Sequence, residues 1–202
     1  MEDIVCLADR KNCPYGTKSK EKLVELVSGN IKRLSDMGCR RVLIACCTAS
    51  TVHPYLEKEQ KDLSFPILKP AAEAVFGKRI TVIATERTVL SCALKNEILT
   101  VFPDSRVEQI AAQELVMLVE RGIRDGNPVI LKEKAFLNTV EKIKASSPES
   151  LLLGCTHFSH LEKTFSSLLP NVKTVSAARE GAIALCKELK EKKERGICLY
   201  TE

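Results

Sequence analysis

Short apolar runs of strand length recur along the chain, each followed by a stretch of helical periodicity. This alternation restricts the fold more than any other feature. The clearest runs are residues 41–46, 79–84 and 151–155. An apolar run with no polar face reads as a strand covered on both sides, the condition of strands in a parallel sheet. The intervening segments are amphipathic: Leu23, Val24, Val27, Ile31, Leu34 and Met37 recur at steps of three and four, which predicts a helix opening at Ser19 and stopping at Gly38. The same reading places strands at 4–8, 65–68, 106–111, 172–175 and 196–200. It places helices at 50–63 (with a break near Pro54), after Lys69-Pro70 through Phe76, and at 88–100, 113–124, 132–145, 156–169 and 179–192. Strands alternating with helices imply an α/β fold with largely parallel sheets.

Two of these strands end in reactive side chains. Leu151-Leu152-Leu153-Gly154 runs directly into Cys155-Thr156-His157-Phe158, and Val42-Leu43-Ile44-Ala45 runs into Cys46-Cys47-Thr48. Open α/β sheets present ligand sites at the carboxyl ends of their strands, so both segments point to a cleft with a thiol on either side. Their placement in the two halves of the chain suggests two pseudo-symmetric lobes. Cys46 and Cys155 also admit the commoner role of a small buried hydrophobe.

Composition narrows the classes. The 202 residues are 45% hydrophobic and 28% charged with a net charge of +5, and the basic residues are scattered except for a lysine-rich stretch at 187–195. That stretch reads as a solvated helix face, and nothing resembles a nucleic-acid reader. No apolar run approaches a membrane span, and the start of the chain lacks a signal-peptide charge pattern. Nine cysteines, an odd number without a C-x-x-C pair, favour free thiols in a reducing cytoplasm over a disulfide framework. Cys155 and His157 lack the spaced partners of a metal site, so neither metal nor cofactor is expected.

Five segments, in order, resemble the aspartate/glutamate racemase family, and its glutamate-specific branch most. Asp9 with Pro14-Tyr15-Gly16-Thr17-Lys18-Ser19 resembles its substrate-contacting loop, and Ala45-Cys46-Cys47-Thr48-Ala49-Ser50 its first cysteine motif, Ala-Cys-Asn-Thr-Ala. Val82-Ile83-Ala84-Thr85 with Thr88 and Ser91 resembles the start of its second lobe, and residues 112–120 the helix ending in Val-Glu. Leu153-Gly154-Cys155-Thr156-His157-Phe158 matches the second cysteine motif almost letter for letter. The resemblance implies two lobes with the active site in the cleft between them. The first would comprise residues 1–70 with 175–202, the second 71–174, and a homodimer is common.

The implied activity is cofactor-independent interconversion of L- and D-glutamate, supplying D-glutamate for bacterial peptidoglycan. Racemisation removes a proton from one face of Cα and returns one to the other, which two acid/base groups can perform without a cofactor. Thiols suit this because an ordinary cysteine pKa of about 8.5 lets one be thiolate while the other stays protonated. By resemblance Cys46 acts on the D-enantiomer and Cys155 on the L-enantiomer, with His157 and Glu120 assisting Cys155. Pro14, Tyr15, Gly16, Cys47, Thr48, Thr85, Thr88 and Thr156 match substrate contacts.

Two departures carry expectations of their own. The family's opening strand, which ends in Asp-Ser-Gly and supplies an aspartate to the first cysteine, precedes everything in this chain. Without it the first lobe's sheet is expected to lack a strand near its middle. Cys47 stands where the family has Asn, removing an amide donor. The Cys155 side is therefore expected to be complete and the Cys46 side impaired. Alternatives are a catalytically impaired relative that binds an acidic ligand or partner, an aspartate racemase, or a cysteine-nucleophile amide hydrolase using Cys155 with His157. Asp9 reads as a residue that fastens the turn into the Pro-Tyr-Gly loop.

Overall fold

The computed structural model describes residues 4–192 and 197–201. Residues 193–195 of the lysine-rich stretch and residue 196 of the last predicted strand lie outside them. The chain opens with β1 (Ile4–Ala8), two short 3-10 turns (Arg10–Asn12 and Tyr15–Thr17), and α1 (Lys20–Asp36). β2 (Val42–Ile44), α2 (Cys47–Ser50), a 3-10 turn (His53–Tyr55), α3 (Lys58–Leu63), β3 (Ser64–Pro66) and α4 (Leu68–Glu73) follow. The second half holds β4 (Arg79–Ala84), α5 (Glu86–Ser91), α6 (Ala93–Val101), β5 (Arg106–Ala111) and α7 (Gln113–Glu120). It continues through α8 (Lys134–Ser146), β6 (Ser150–Gly154), a 3-10 segment (Thr156–Leu161), α9 (Glu162–Leu168), β7 (Lys173–Ser176), α10 (Ala177–Lys192) and β8 (Ile197–Thr201).

The strands form two four-stranded parallel sheets, ordered β1-β8-β2-β3 and β5-β4-β6-β7. The expected gap near the middle of the first sheet is not found. β8 lies there, paired in parallel with β1 (Ile4 opposite Ile197) and with β2 (Ile44 opposite Tyr200), so the ladder is continuous.

Helix ends follow local chemistry. Ser19 Oγ accepts the Lys22 N–H (3.2 Å) and caps α1. Gly38, at φ +87°, closes it: the Cys39 N–H reaches Leu34 O (3.0 Å) and the Gly38 N–H reaches Ser35 O (2.9 Å), the paired bonds of a Schellman stop. The same device at Gly122, φ +84°, ends α7 at Glu120, short of the predicted 124. The helix predicted over 88–100 is two helices, because Cys92 takes a left-handed conformation (φ +53°) between α5 and α6. Ser91 holds that break, donating to Thr88 O (2.7 Å) and accepting the Ala93 N–H (3.2 Å). Cys39 is disulfide-bonded, so the expectation of reduced thiols does not extend to it.

Strand periodicity divides the core. In the second sheet, Leu151 and Leu153 of β6 and Ile83 of β4 pack with α7, α8 and α9 on one face. Leu152, Ile80 and Val82 point the opposite way, as the two-residue repeat requires, and join Leu43, Ile67, Leu94, Leu185 and Leu189 in one cluster. That cluster takes residues from both sheets, so the two lobes share a hydrophobic layer. α1 covers the other face of the first sheet through Leu23, Val27, Ile31 and Leu34.

α4 and α10 pack against each other within this shared layer. Gly181 of α10 sits so close to Ile67 that an added Cβ would strike its Cγ2 and come within 2.7 Å of its Cβ. Gly29 of α1 has open space around it. Helix propensity favours Ala over Gly by up to about 1 kcal/mol, whereas overpacking a filled contact costs about 1–3 kcal/mol. Gly29→Ala should therefore raise the melting temperature and Gly181→Ala should lower it. Thermal melts of both variants check this, and a rise for Gly181→Ala would show that this contact is loosely packed.

Candidate active site

The candidate residues stand at the carboxyl ends of strands in both sheets. Asp9 follows β1, Cys46 follows β2, Thr85 follows β4 and Cys155 follows β6. The parallel register opposes Ala84 to Gly154, so Thr85 and Cys155 leave neighbouring strands side by side. Gly154 is tightly surrounded: an added Cβ would come within 2.7 Å of Leu94 Cδ1 and 3.1 Å of Ile83 O.

A ring of hydroxyls brings the two edges together. Thr48 Oγ1 lies 2.9 Å from Thr85 Oγ1 and 3.1 Å from Thr88 Oγ1, and Thr85 and Thr88 are 2.9 Å apart. All three residues are buried. Thr48 belongs to the first lobe, two residues beyond Cys46, and Thr85 and Thr88 to the second. Each hydroxyl has one proton, so three hydroxyls bonded in a ring use every donor they have. A ligand carboxylate must open the ring to be bound by it.

On the second-lobe side, Cys155 is 3% exposed. Its Sγ lies 3.8 Å from His157 Nδ1, and His157 Nε2 lies 2.5 Å from Glu120 Oε1. The three form a line from a buried thiol to a half-exposed carboxylate at the end of α7. Glu120 accepts a proton's hydrogen bond from Nε2, which leaves Nδ1 of a neutral ring as the acceptor facing the thiol. On the first-lobe side, Cys46 caps α2 and its buried Sγ accepts the Ala49 N–H at 3.4 Å. Cys47 is buried and packs in the hydrophobic cluster shared by the lobes. Thr156 is partly exposed beside Cys155.

The Pro14-Tyr15-Gly16 loop is fastened from behind. Tyr15 is fully buried, its hydroxyl donates to Asp9 Oδ2 (2.7 Å) and accepts from Asn30 Nδ2 (3.2 Å), and Asn12 Nδ2 bonds both Asp9 oxygens at 2.9 Å. Asp9 thus holds the loop through side chains, as its sequence position suggests, with Asn30 as a partner that spacing alone does not reveal. Gly16 then meets the second lobe: an added Cβ would collide with Gln113 Oε1 and approach Thr85 Cβ to 2.7 Å. Gln113, the first residue of α7, escapes the sequence reading; its position just beyond β5 is the signal that could have found it. Among the described residues no group of three or more potential ligands could hold a metal ion, and no helix is long and apolar enough to cross a membrane.

The sequence pattern of the Asp/Glu/Hydantoin racemase family matches residues 3–182. Glutamate racemase 2 of Caldanaerobacter subterraneus subsp. tengcongensis is 33% identical over 205 residues, covering 98% of this chain and 74% of that protein. The glutamate racemase of Carboxydothermus hydrogenoformans is 31% identical over 197 residues, covering 96% of this chain and 73% of that one. Among solved structures, glutamate racemase from Francisella tularensis in complex with D-glutamate superposes with a TM-score of 0.82 at 23% identity, over 99% of this chain and 78% of that one. The chain belongs to the Asp/Glu/Hydantoin racemase family, and its two α/β lobes have that family's architecture.

The Asp9 network carries a pH signature. Burial pushes the Asp9 carboxyl up, but hydrogen bonds from Tyr15, Asn12 and Asn30 outweigh it and hold the pKa below the ordinary aspartate value. A carboxylate with a depressed folded-state pKa contributes stability that is fully present above its unfolded value, about 3.9, and is lost as pH falls through the folded value. Wild type should therefore exceed Asp9→Asn in stability at pH 7, with the gap shrinking at pH 3. Denaturant titrations at the two pH values check this; an equal gap at both would show that the charge is not what holds the loop.

Proposed function

We propose that this chain is a cofactor-independent glutamate racemase in which Cys46 and Cys155 exchange protons with opposite faces of the substrate Cα. The observation that carries the reading is the Cys155–His157–Glu120 line, set at the end of a strand whose neighbour, through Thr85, touches the Cys46 lobe at Thr48. The similarity to proteins named glutamate racemase supports glutamate as the substrate over aspartate.

In this reading Cys155 reaches its thiolate form by passing its proton to His157 Nδ1, while Glu120 stabilises the imidazolium through Nε2. The thiolate takes the Cα proton of L-glutamate, leaving a planar carbanion, and the Cys46 thiol delivers a proton to the opposite face. The products are D-glutamate, protonated Cys155 and Cys46 thiolate, so the reverse direction starts with the roles exchanged. The N–H of Ala49 aimed at Cys46 Sγ favours that thiolate. Thr48, Thr85 and Thr156, with the backbone around Gly16, would hold the carboxylates, and the peptidoglycan role follows from the product.

Exchange of the Cα proton in deuterium oxide tests this. Wild type should incorporate deuterium into both enantiomers, and Cys46→Ala and Cys155→Ala should each abolish racemisation. Glu120→Gln should lower the rate from L-glutamate by roughly 10²-fold or more, the lower range for a positioned acid–base group. Absence of exchange from either enantiomer with wild type would refute the proposal. Faster exchange from L-glutamate than from D-glutamate would place the defect on the Cys46 side, where Cys47 stands in place of the family's Asn.

A further inference from the structure

We propose that Gln113 is a specificity-determining residue of this site, its carboxamide donating to the side-chain carboxylate of the substrate. The inference rests on the racemase reading and deepens it. Both polar atoms of Gln113, Nε2 and Oε1, are sealed from solvent and have no hydrogen-bond partner. Buried polar groups are nearly always paired, and an unpaired carboxamide is destabilising unless a ligand completes it. Its position makes that ligand the substrate. Gln113 lies against Gly16 of the first-lobe loop and beside Thr85, at the seam where the lobes meet.

The sheet supplies a ruler. Ala111 of β5 is opposite Ala84 of β4, and Ala84 is opposite Gly154 of β6, so Gln113, Thr85 and Cys155 emerge from three adjacent strands. With strands about 4.8 Å apart, Thr85 stands one spacing and Gln113 two, about 10 Å, from the strand that delivers Cys155. A substrate with its Cα at Cys155 would extend its side chain along this edge towards Gln113. The ring hydroxyls share their protons among themselves, whereas Gln113 Nε2 has two, so the carboxamide adds a donor for the distal carboxylate that does not require the ring to open. Glutamate carries that carboxylate one methylene further from Cα than aspartate does, which is the difference Gln113 would read.

Gln113→Met removes the carboxamide while keeping most of its volume, and Gln113→Ala serves if Met does not fit. If the amide completes the substrate site, the ligand-free variant should melt at the same temperature as wild type or higher, since an unpaired buried group has gone. Its KM for glutamate should rise about tenfold or more, the effect of losing a hydrogen bond to a charged group, with kcat changed much less and KM for aspartate unaffected. Stabilisation of the melt by glutarate, a dicarboxylate without a Cα amine, should fall in parallel. Unchanged KM for glutamate, or equal changes for glutamate and aspartate, would overturn the proposal while leaving the racemase reading intact. Loss of glutarate stabilisation in a protein whose wild type exchanges no Cα proton would uphold Gln113 and refute the racemase. A wild type stabilised by neither glutamate nor glutarate would overturn both.

Discussion

Two parallel sheets meet at their carboxyl edges through three threonine hydroxyls, and the position of every proposed reacting group depends on that contact. Thr48 ties the Cys46 turn to Thr85 and Thr88, and Thr85 leaves the sheet beside Cys155. Gly16 permits the approach by having no side chain where one would collide with Gln113 and Thr85. Below this seam the shared hydrophobic layer packs the two sheets together. A closed hydroxyl ring is fully satisfied without a ligand, so it also defines what binding must disrupt.

The two thiols sit in different surroundings, which suits a reaction run in both directions. Cys155 has an imidazole and a carboxylate in line behind it, able to take a proton and stabilise the resulting charge. Cys46 receives a backbone N–H at the start of a helical turn, an interaction that favours thiolate without moving a proton. Cys47, adjacent in sequence, is packed in the core.

The α/β class, the strand at 79–84, the stripe of α1 and its stop at Gly38 were legible because each rests on local periodicity or on a single backbone requirement. The break at Cys92 was not, since a left-handed cysteine held by Ser91 has no signature in an apolar-periodic run. Nor was the place of β8 between β1 and β2, because pairing across nearly the whole chain length leaves no local trace. The thiol, imidazole and threonine candidates were readable from motif and strand end together. The support beneath them, Asn30 under Tyr15 and Gln113 against Gly16, depends on contacts between distant segments.

The most direct test of the two-sided site is a crystal structure with glutamate bound. Cys46 Sγ and Cys155 Sγ should lie on opposite faces of the substrate Cα, each at about 3–3.5 Å, the distance of a near-attack geometry. Glutamate seated away from the two thiols, or with both sulfurs on one face of Cα, would contradict the account.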